Sequence, residues 1–136
     1  MAPSVKAGIE YAVVVFVAGF ALGAIRVLAI APRVGSTLAV ILEAPTILTV
    51  SWRVSRWAAA RFGAPPTTKA RALMGIVAFA TLMLAEFGVA ILLFSRSIAE
   101  TFASYGTAAG AIGLAAQIAF AAFPLLQIAR AADAAS

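Results

Sequence analysis

Apolar residues dominate four long stretches of the chain, and turn-forming residues separate them. The stretches cover residues 8–30, 36–57, 70–94 and 105–129. A helix needs about 20 apolar residues to cross about 30 Å of hydrocarbon, and each stretch is long enough to do so. The pattern predicts an all-α fold, a polytopic four-transmembrane-helix bundle, in which residues 1–136 form a single membrane domain.

The segments between the stretches contain residues that end and begin helices. Pro32 and Gly35 lie between the first two stretches, and residues 63–66 bring a glycine and two prolines before the third. Thr67 or Thr68 is predicted to be the N-cap of the third helix, because a threonine hydroxyl accepts a hydrogen bond from a free N–H of the first turn. The more polar residues 95–104 predict a short interfacial loop or a helical turn.

The first stretch has an alternative interpretation as a cleaved signal peptide. Lys6 precedes it, and residues 29–31 resemble a cleavage site. However, Glu10 and Arg26 lie inside the apolar run, which is also longer than the hydrophobic region of a usual signal peptide. A retained helix is therefore the favoured interpretation.

The composition supports a membrane protein and excludes most enzyme classes. Hydrophobic residues make up 64% of the chain and charged residues 11%, with a mean hydropathy of +1.07. Soluble domains average about 45–50% apolar and about 25% charged residues. The chain has no Cys and no His, which excludes disulfides, zinc sites built on these residues, haem with His or Cys ligands, and Ser-His-Asp triads. We therefore expect no enzyme activity, no cofactor and no metal site.

The charged residues lie mainly at the ends of the apolar stretches and predict an orientation in the membrane. The net charge is +5, which we ascribe to this orientation and not to nucleic-acid binding. Three positive charges (Arg26, Arg33, Arg96) fall at one end of the predicted bundle, and seven fall at the other: Lys6, Arg53, Arg56, Arg61, Lys69, Arg71 and Arg130. Because positive charge accumulates in cytoplasmic loops, both termini are predicted to be cytoplasmic, with the protein in a bacterial inner (plasma) membrane.

Trp52, Arg53, Arg56 and Trp57 fall together at the predicted cytoplasmic interface. Aromatic side chains concentrate at membrane interfaces, and arginines there contact anionic headgroups or simply extend their charge toward water. Headgroup contacts of these four residues are therefore one prediction, and the ordinary interfacial end of a span, with the arginine charges extended toward water, is the favoured interpretation. Glu10, near the same interface, is expected to pair with Arg53 or Arg56 for structural reasons.

Four polar positions well inside the predicted spans matter most: Arg26, Glu43, Glu86 and the amide Gln117. At about 1.5 Å per residue, the three charged groups lie within roughly 6–12 Å of the outer interface, so they are predicted to form one cluster. Ionisable groups in membranes are costly and usually have a role. Three roles stay open, namely a salt bridge that fixes helix register, a proton or cation site, and a docking site for a protein, lipid headgroup or ligand. A closed cluster favours architecture, whereas a water-filled cavity that reaches it favours transport.

Two stripes of small residues predict helix-packing seams. GxxxG spacing lets helices approach closely in membranes. The predicted seams share one face of the first span and one face of the fourth, and they consist of Gly19, Gly23, Gly106, Gly110, Gly113 and Gln117.

Pro45 predicts a kink in the second span. It lacks the N–H that would bond to the carbonyl of Ile41, and that carbonyl lies near Glu43. A kink beside a carboxylate is compatible with an ion site and with an ordinary bundle.

Three segments of the sequence carry a resemblance to a known family. They are Gly23-Ala24-Ile25-Arg26-Val27-Leu28 continuing to Ala31-Pro32-Arg33, Leu42-Glu43-Ala44-Pro45 continuing to Ser51-Trp52, and Leu84-Ala85-Glu86. With them the chain resembles, over nearly its whole length, an uncharacterised family of small four-helix inner-membrane proteins of Gram-negative bacteria. The resemblance implies a fold and a location but no activity. Small multidrug resistance transporters are a weaker likeness, because their first-span carboxylate has no good match in Glu10.

These observations leave three functional hypotheses. The favoured one is a non-catalytic bundle that serves as an accessory, assembly or scaffold subunit of a membrane complex, with the lipid bilayer and a membrane protein or a second copy as partners. The alternative is a small oligomeric proton- or cation-coupled transporter or channel that uses Glu43 and Glu86. The third is an enzyme that depends on carboxylates alone, for which two glutamates are weak evidence.

Overall fold

The computed structural model describes the backbone of residues 2–135 and the side chains of residues 2–128, and this part of the chain is helical with no strand. In chain order, the elements are α1 Pro3–Ile25, a π-helical segment Arg26–Ile30, α2 Ala31–Val34, α3 Ser36–Phe62, α4 Thr68–Leu92, α5 Ile98–Ser104 and α6 Ala108–Ala135.

Four helical stretches are long and apolar enough to cross a membrane, as the sequence predicts. They are Pro3–Val34, which joins α1, the π-helical segment and α2, then Ser36–Phe62, Thr68–Leu92 and Ala108–Ile128. Their ends differ from the predicted ones by a few residues. The helix α3 continues past Trp57 to Phe62, because residues 58–61 are alanines and an arginine, which are strong helix formers.

The first connection is shorter than predicted. Pro32 lies in the first turn of α2, where its missing N–H removes no helical hydrogen bond, so it does not end the helix. Only Gly35 separates α2 from α3, and its φ of 87° is a conformation that glycine adopts without steric cost. The first two spans therefore form a tight helical hairpin.

Local caps define the other connections. Gly63 ends α3 in the left-handed region, with φ 67°. Thr67 is the N-cap of α4, and its hydroxyl accepts a hydrogen bond from the Ala70 N–H at 3.2 Å, which confirms one of the two predicted caps. Residues 95–104 include the short helix α5, whose N-cap Ser97 accepts from the Glu100 N–H at 3.0 Å.

The four long helices form a ring in the order α1, α3, α6, α4. Backbones approach closely at two glycines. A Cβ on Gly8 of α1 would lie 2.7 Å from the Met74 carbonyl oxygen of α4, and a Cβ on Gly75 of α4 would collide with the Ala121 carbonyl of α6. Both close approaches involve α4. Glycine at these two positions therefore lets α1 and α6 pack directly against the backbone of α4.

The buried core lies at one end of this ring, which we call the closed end. It is formed by the first half of α1, the first two thirds of α4, the last half of α3 and the middle of α6, and it contains Tyr11, Ala58, Met74, Leu82 and Phe120. Near the opposite end, which we call the open end, the helices surround a cavity.

Hydrogen bonds between helices hold the closed end together. Tyr11 stacks on Phe120 with ring centroids 4.1 Å apart, and its hydroxyl donates to the Phe120 carbonyl at 2.7 Å. Pro124 has no N–H to offer that carbonyl, so the tyrosine replaces the missing helical donor. Ser55 donates to Gln127 Oε1 at 2.9 Å, and Gln127 Nε2 donates to the Trp52 carbonyl at 2.9 Å.

Candidate site in the membrane cavity

A cavity of about 1090 Å³ lies between the long helices in the open half of the bundle. Each of the four long helical stretches contributes one charged or amide residue to its wall. These residues are Arg26 from the π-helical segment, Glu43 from α3, Glu86 from α4 and Gln117 from α6. The four intramembrane residues singled out from the sequence therefore line one space, although they form two separate pairs.

Arg26 and Glu43 form the first pair. Arg26 Nε lies 2.7 Å from Glu43 Oε2, and the side chains are 32% and 16% exposed. The Nε–H does not point at the carboxylate as a hydrogen bond requires. The contact is therefore a close ion pair and not the two-armed fork that would join one arginine to both glutamates.

The local helix geometry brings Arg26 into position. The π-helical segment begins at this residue, and π-helical turns are often found at functional sites. Gly23 lies one turn earlier, and a Cβ there would be 3.4 Å from Arg26 Nη2. Gly23 therefore leaves room for the guanidinium to lie against its own helix.

Glu86 and Gln117 form the second pair. Gln117 Nε2 donates to both carboxylate oxygens of Glu86, each at 2.6 Å. Gln117 Oε1 is buried and has no hydrogen-bond partner among the described residues. No lysine or arginine with a described side chain lies within 4.0 Å of the Glu86 carboxylate. The expected three-residue cluster is thus divided, and Glu86 lacks the cation that Glu43 has.

Two residues at the outer part of the cavity were not predicted from the sequence. Tyr105, just before α6, lines the cavity, and its hydroxyl lies 3.8 Å from Met83 Sδ. Burial, and secondarily the negative charge of Glu86, raise the pKa of the Tyr105 phenol above its ordinary value. Arg96, with an exposed side chain, also lines the cavity. Both lie near a predicted helix end, and nothing in the sequence pattern distinguishes them from ordinary interfacial residues.

Most of the glycines predicted to form packing seams line the cavity, and a Cβ on Gly19 would also lie 3.7 Å from the Ile47 side chain of α3. Gly19, Gly23, Gly110, Gly113 and the amide Gln117 belong to the cavity wall. A Cβ on Gly113 would meet nothing within 4 Å, and a Cβ on Gly106 would lie 3.3 Å from the Ala103 carbonyl of the same chain segment. Between the long helices, the closest approaches occur at Gly8 and Gly75, and a Cβ on Gly110 of α6 would collide with the Ser104 carbonyl of the short helix α5.

Pro45 lies inside α3 without interrupting it. The helix continues from Ser36 to Phe62, and Pro45 itself is exposed. The Thr49 hydroxyl donates to the Pro45 carbonyl at 2.8 Å. Pro45 thus does not end α3, and the kink predicted at this residue stays a prediction.

The arginines and tryptophans of the predicted headgroup group lie at the C-terminal half of α3. Arg53, Arg56 and Trp57 are exposed, whereas Trp52 is partly buried and packs edge-on against Phe123 with ring centroids 5.1 Å apart. Glu10, which we expected to pair with Arg53 or Arg56, has no cation within 4.0 Å among residues with described side chains.

Among the described residues, no three carboxylates come together in a group that could hold a metal ion. The chain matches no model of a protein family, no curated protein and no solved structure.

Proposed function

We propose that this protein is a small, non-catalytic, multi-pass membrane transporter, in which Glu86 carries a proton or a cation in the cavity. The observation that carries the proposal is the setting of Glu86, which lines a cavity of about 1090 Å³ and, among the residues with described side chains, accepts hydrogen bonds only from the Gln117 amide. A space of this size around the polar residues is the arrangement that favours transport over a purely structural salt bridge.

The two glutamates differ in how their charge is balanced. Glu43 lies against Arg26, so this pair is close to neutral as a unit. Glu86 has a hydrogen bond from a neutral amide, which does not cancel its charge. A carboxylate in a membrane cavity without a cation beside it is costly to keep charged, so Glu86 can exchange a proton or a cation with the water of the cavity. We therefore assign the exchangeable charge to Glu86 and a supporting role to Arg26 and Glu43.

The orientation of the transporter is part of this proposal. The excess of positive charge at the closed end supports a cytoplasmic location for both termini, and the cavity would then face the outer side of a bacterial inner membrane. The resemblance to four-helix inner-membrane proteins points to the same membrane. Transport further needs a second state in which the closed end separates, and the contacts to be broken there are the Tyr11–Phe120 and Ser55–Gln127 hydrogen bonds.

Flux measurements in liposomes test the proposal. The purified protein is reconstituted, a K⁺ gradient with valinomycin imposes a membrane potential, and an internal pH dye reports proton entry. A parallel series with Na⁺ and a Na⁺ dye covers cation movement. We expect wild-type flux above that of empty liposomes, and a loss of at least about tenfold in Glu86→Gln.

The Glu86→Gln variant retains an oxygen that accepts from Gln117, so the packing of the pair is preserved. Glu100→Gln is the matched control, because Glu100 is exposed on α5 and does not line the cavity. Equal flux in wild type and Glu86→Gln, with both proteins folded by circular dichroism, would overturn the proposal.

An accessory or assembly subunit is the second candidate function. Its support is that the described part of the chain consists of the bundle and connections as short as Gly35 alone, with no separate soluble domain. This function predicts a stoichiometric membrane-protein partner after mild detergent extraction. A chain that migrates alone, or as a homo-oligomer, in that extract would count against it.

A further inference from the structure

The size of the cavity exceeds what a proton or a single metal ion needs. A water molecule occupies about 30 Å³ in the liquid, so about 35 waters correspond to the cavity of about 1090 Å³. Pockets for small organic ligands usually measure about 300–1,000 Å³. The volume therefore fits an organic molecule bound next to Glu86.

The walls of the cavity are largely apolar and aromatic. Phe16, Phe20, Phe94 and Phe120 belong to the lining, and Phe20 and Phe94 are 50% and 64% exposed. The cavity thus continues to the outer surface of the bundle, and lipid chains contact such a surface in a protein with four spanning helices. A molecule with an apolar tail can reach it from the bilayer without crossing water.

The polar groups around Glu86 have more acceptors than donors. A carboxylate offers about four acceptor positions, and the Glu86 oxygens receive hydrogen bonds from one nitrogen only. Gln117 Oε1 is a further acceptor without a partner among the described residues. Among described side chains, Arg26 is already paired with Glu43, and Arg96 has no carboxylate within 4.0 Å. The missing component at Glu86 is a positively charged group that carries several N–H donors.

We propose that the cavity binds an amphiphile with a primary ammonium headgroup and an apolar tail. The ammonium donates to the Glu86 carboxylate and to Gln117 Oε1, and the tail lies along the aromatic wall toward Phe20 and Phe94. Glu86 lies six residues before the end of α4 at Leu92, a depth of about 9 Å that a headgroup reaches by a short inward movement. This inference rests on the proposed function, since it names the substrate class of the same site.

The test compares four amphiphiles that share an octyl tail and differ in the headgroup. Octylammonium, octyltrimethylammonium, octanol and octyl sulfate are titrated calorimetrically into the wild-type protein in phosphatidylcholine nanodiscs, with empty discs as the blank. We expect saturable binding of one octylammonium per chain. Octyltrimethylammonium has the charge but no N–H donor, so we expect affinity lower by at least about tenfold, equivalent to about 1.4 kcal/mol. Octanol and octyl sulfate should bind no better to protein-filled discs than to empty ones.

Variants then locate the site. Glu86→Gln should weaken octylammonium binding by at least about tenfold, and Glu100→Gln should leave it unchanged. Equal affinities for octylammonium and octyl sulfate, or an unchanged affinity in Glu86→Gln, would overturn the inference. Because the headgroup series uses the wild-type chain, it remains decisive even where a variant fails to fold.

Failure of this inference can be separated from failure of the transport proposal. Flux that depends on Glu86, together with no octylammonium binding, overturns the substrate class and leaves transport standing. Octylammonium binding that depends on Glu86, without flux of protons, Na⁺ or octylammonium, supports the site and overturns transport.

Discussion

The hydrogen bond between Tyr11 and the Phe120 carbonyl is expected to stabilise the closed end of the bundle. Tyr11 is fully buried, and its hydroxyl lies 2.7 Å from a carbonyl that Pro124 leaves without a helical donor. The Tyr11→Phe variant removes the donor and preserves the ring that stacks on Phe120. A buried acceptor without a partner costs about 1–3 kcal/mol, and hydrogen bonds between membrane helices average about 0.6 and reach about 1.7 kcal/mol. We therefore expect a loss of about 1–2 kcal/mol in unfolding free energy.

A double-mutant cycle isolates this contribution from general packing effects. Pro124→Ala supplies an N–H that can bond to the Phe120 carbonyl within α6, so in this background Tyr11→Phe should cost much less. The coupling energy between the two positions should reach about 1 kcal/mol. For comparison, the effects of two substitutions at independent sites add to within about 0.3–0.5 kcal/mol. Unfolding by sodium dodecyl sulfate in mixed micelles, followed by circular dichroism, measures all four proteins. An equal cost of Tyr11→Phe in both backgrounds would refute the account of this carbonyl.

Three further changes test other parts of the structure by the same unfolding assay. Gly75→Ala should destabilise the protein by about 1–3 kcal/mol, because the added Cβ collides with an α6 carbonyl. Gly88→Ala is its control and should be neutral or stabilising, because a Cβ there meets nothing within 4 Å. Equal effects of the two substitutions would contradict the contact assigned to Gly75. Thr67→Ala should cost about 1 kcal/mol through loss of the α4 cap, and no change would argue against that cap. Arg26→Gln and Glu43→Gln should each lower the unfolding free energy by roughly 1–3 kcal/mol, a cost between those of surface and buried ion pairs. The double variant should lose less than the sum of the two. Strict additivity would mean that the two side chains do not interact.

Hydrophobic length predicted the four apolar helices well, because it depends only on composition along the chain. The ends were less predictable. Pro32 looked like a break, but a proline in the first turn of a helix costs no hydrogen bond, and the actual break needs only Gly35. The alanines after Trp57 extend α3 by propensity rather than by hydrophobicity.

The sequence predicted which residues form the candidate site, but it did not predict which of them contact each other. Depth along each helix placed Arg26, Glu43 and Glu86 at one level, and all three line the same cavity. Which groups touch depends on helix order around the ring and on the π-helical turn at Arg26, and neither is visible in the periodicity. Gln117 was expected to make an interhelical hydrogen bond at a packing seam, and it does donate to another helix, although its acceptor Glu86 could not be predicted from the periodicity.

The role of each glycine was also not predictable from the sequence. A GxxxG pattern indicates that another helix can approach closely, but it does not show that a helix is present there. Gly19 and Gly23, which form a GxxxG pair, line the cavity, whereas Gly75, which belongs to no such pair, accommodates the Ala121 carbonyl of α6. The identity of the facing backbone, which only the fold determines, decides the role of each glycine.

The chain contains no cysteine, so a single introduced thiol reports directly on water access to Glu86. Gly113→Cys places a thiol on the cavity wall, one turn from Gln117, where an added Cβ meets nothing within 4 Å. Gly88→Cys is the matched control, because an added Cβ there is equally free and the residue does not line the cavity.

We expect a membrane-impermeant cationic methanethiosulfonate to modify the thiol of Gly113→Cys in liposomes and to leave the thiol of Gly88→Cys unmodified. In the double variant with Glu86→Gln, the thiol at position 113 should react several-fold more slowly, because the negative charge that attracts the reagent is lost. No modification of Gly113→Cys, or the same rate with and without Glu86, would contradict the claim that Glu86 lies charged in a water-accessible cavity.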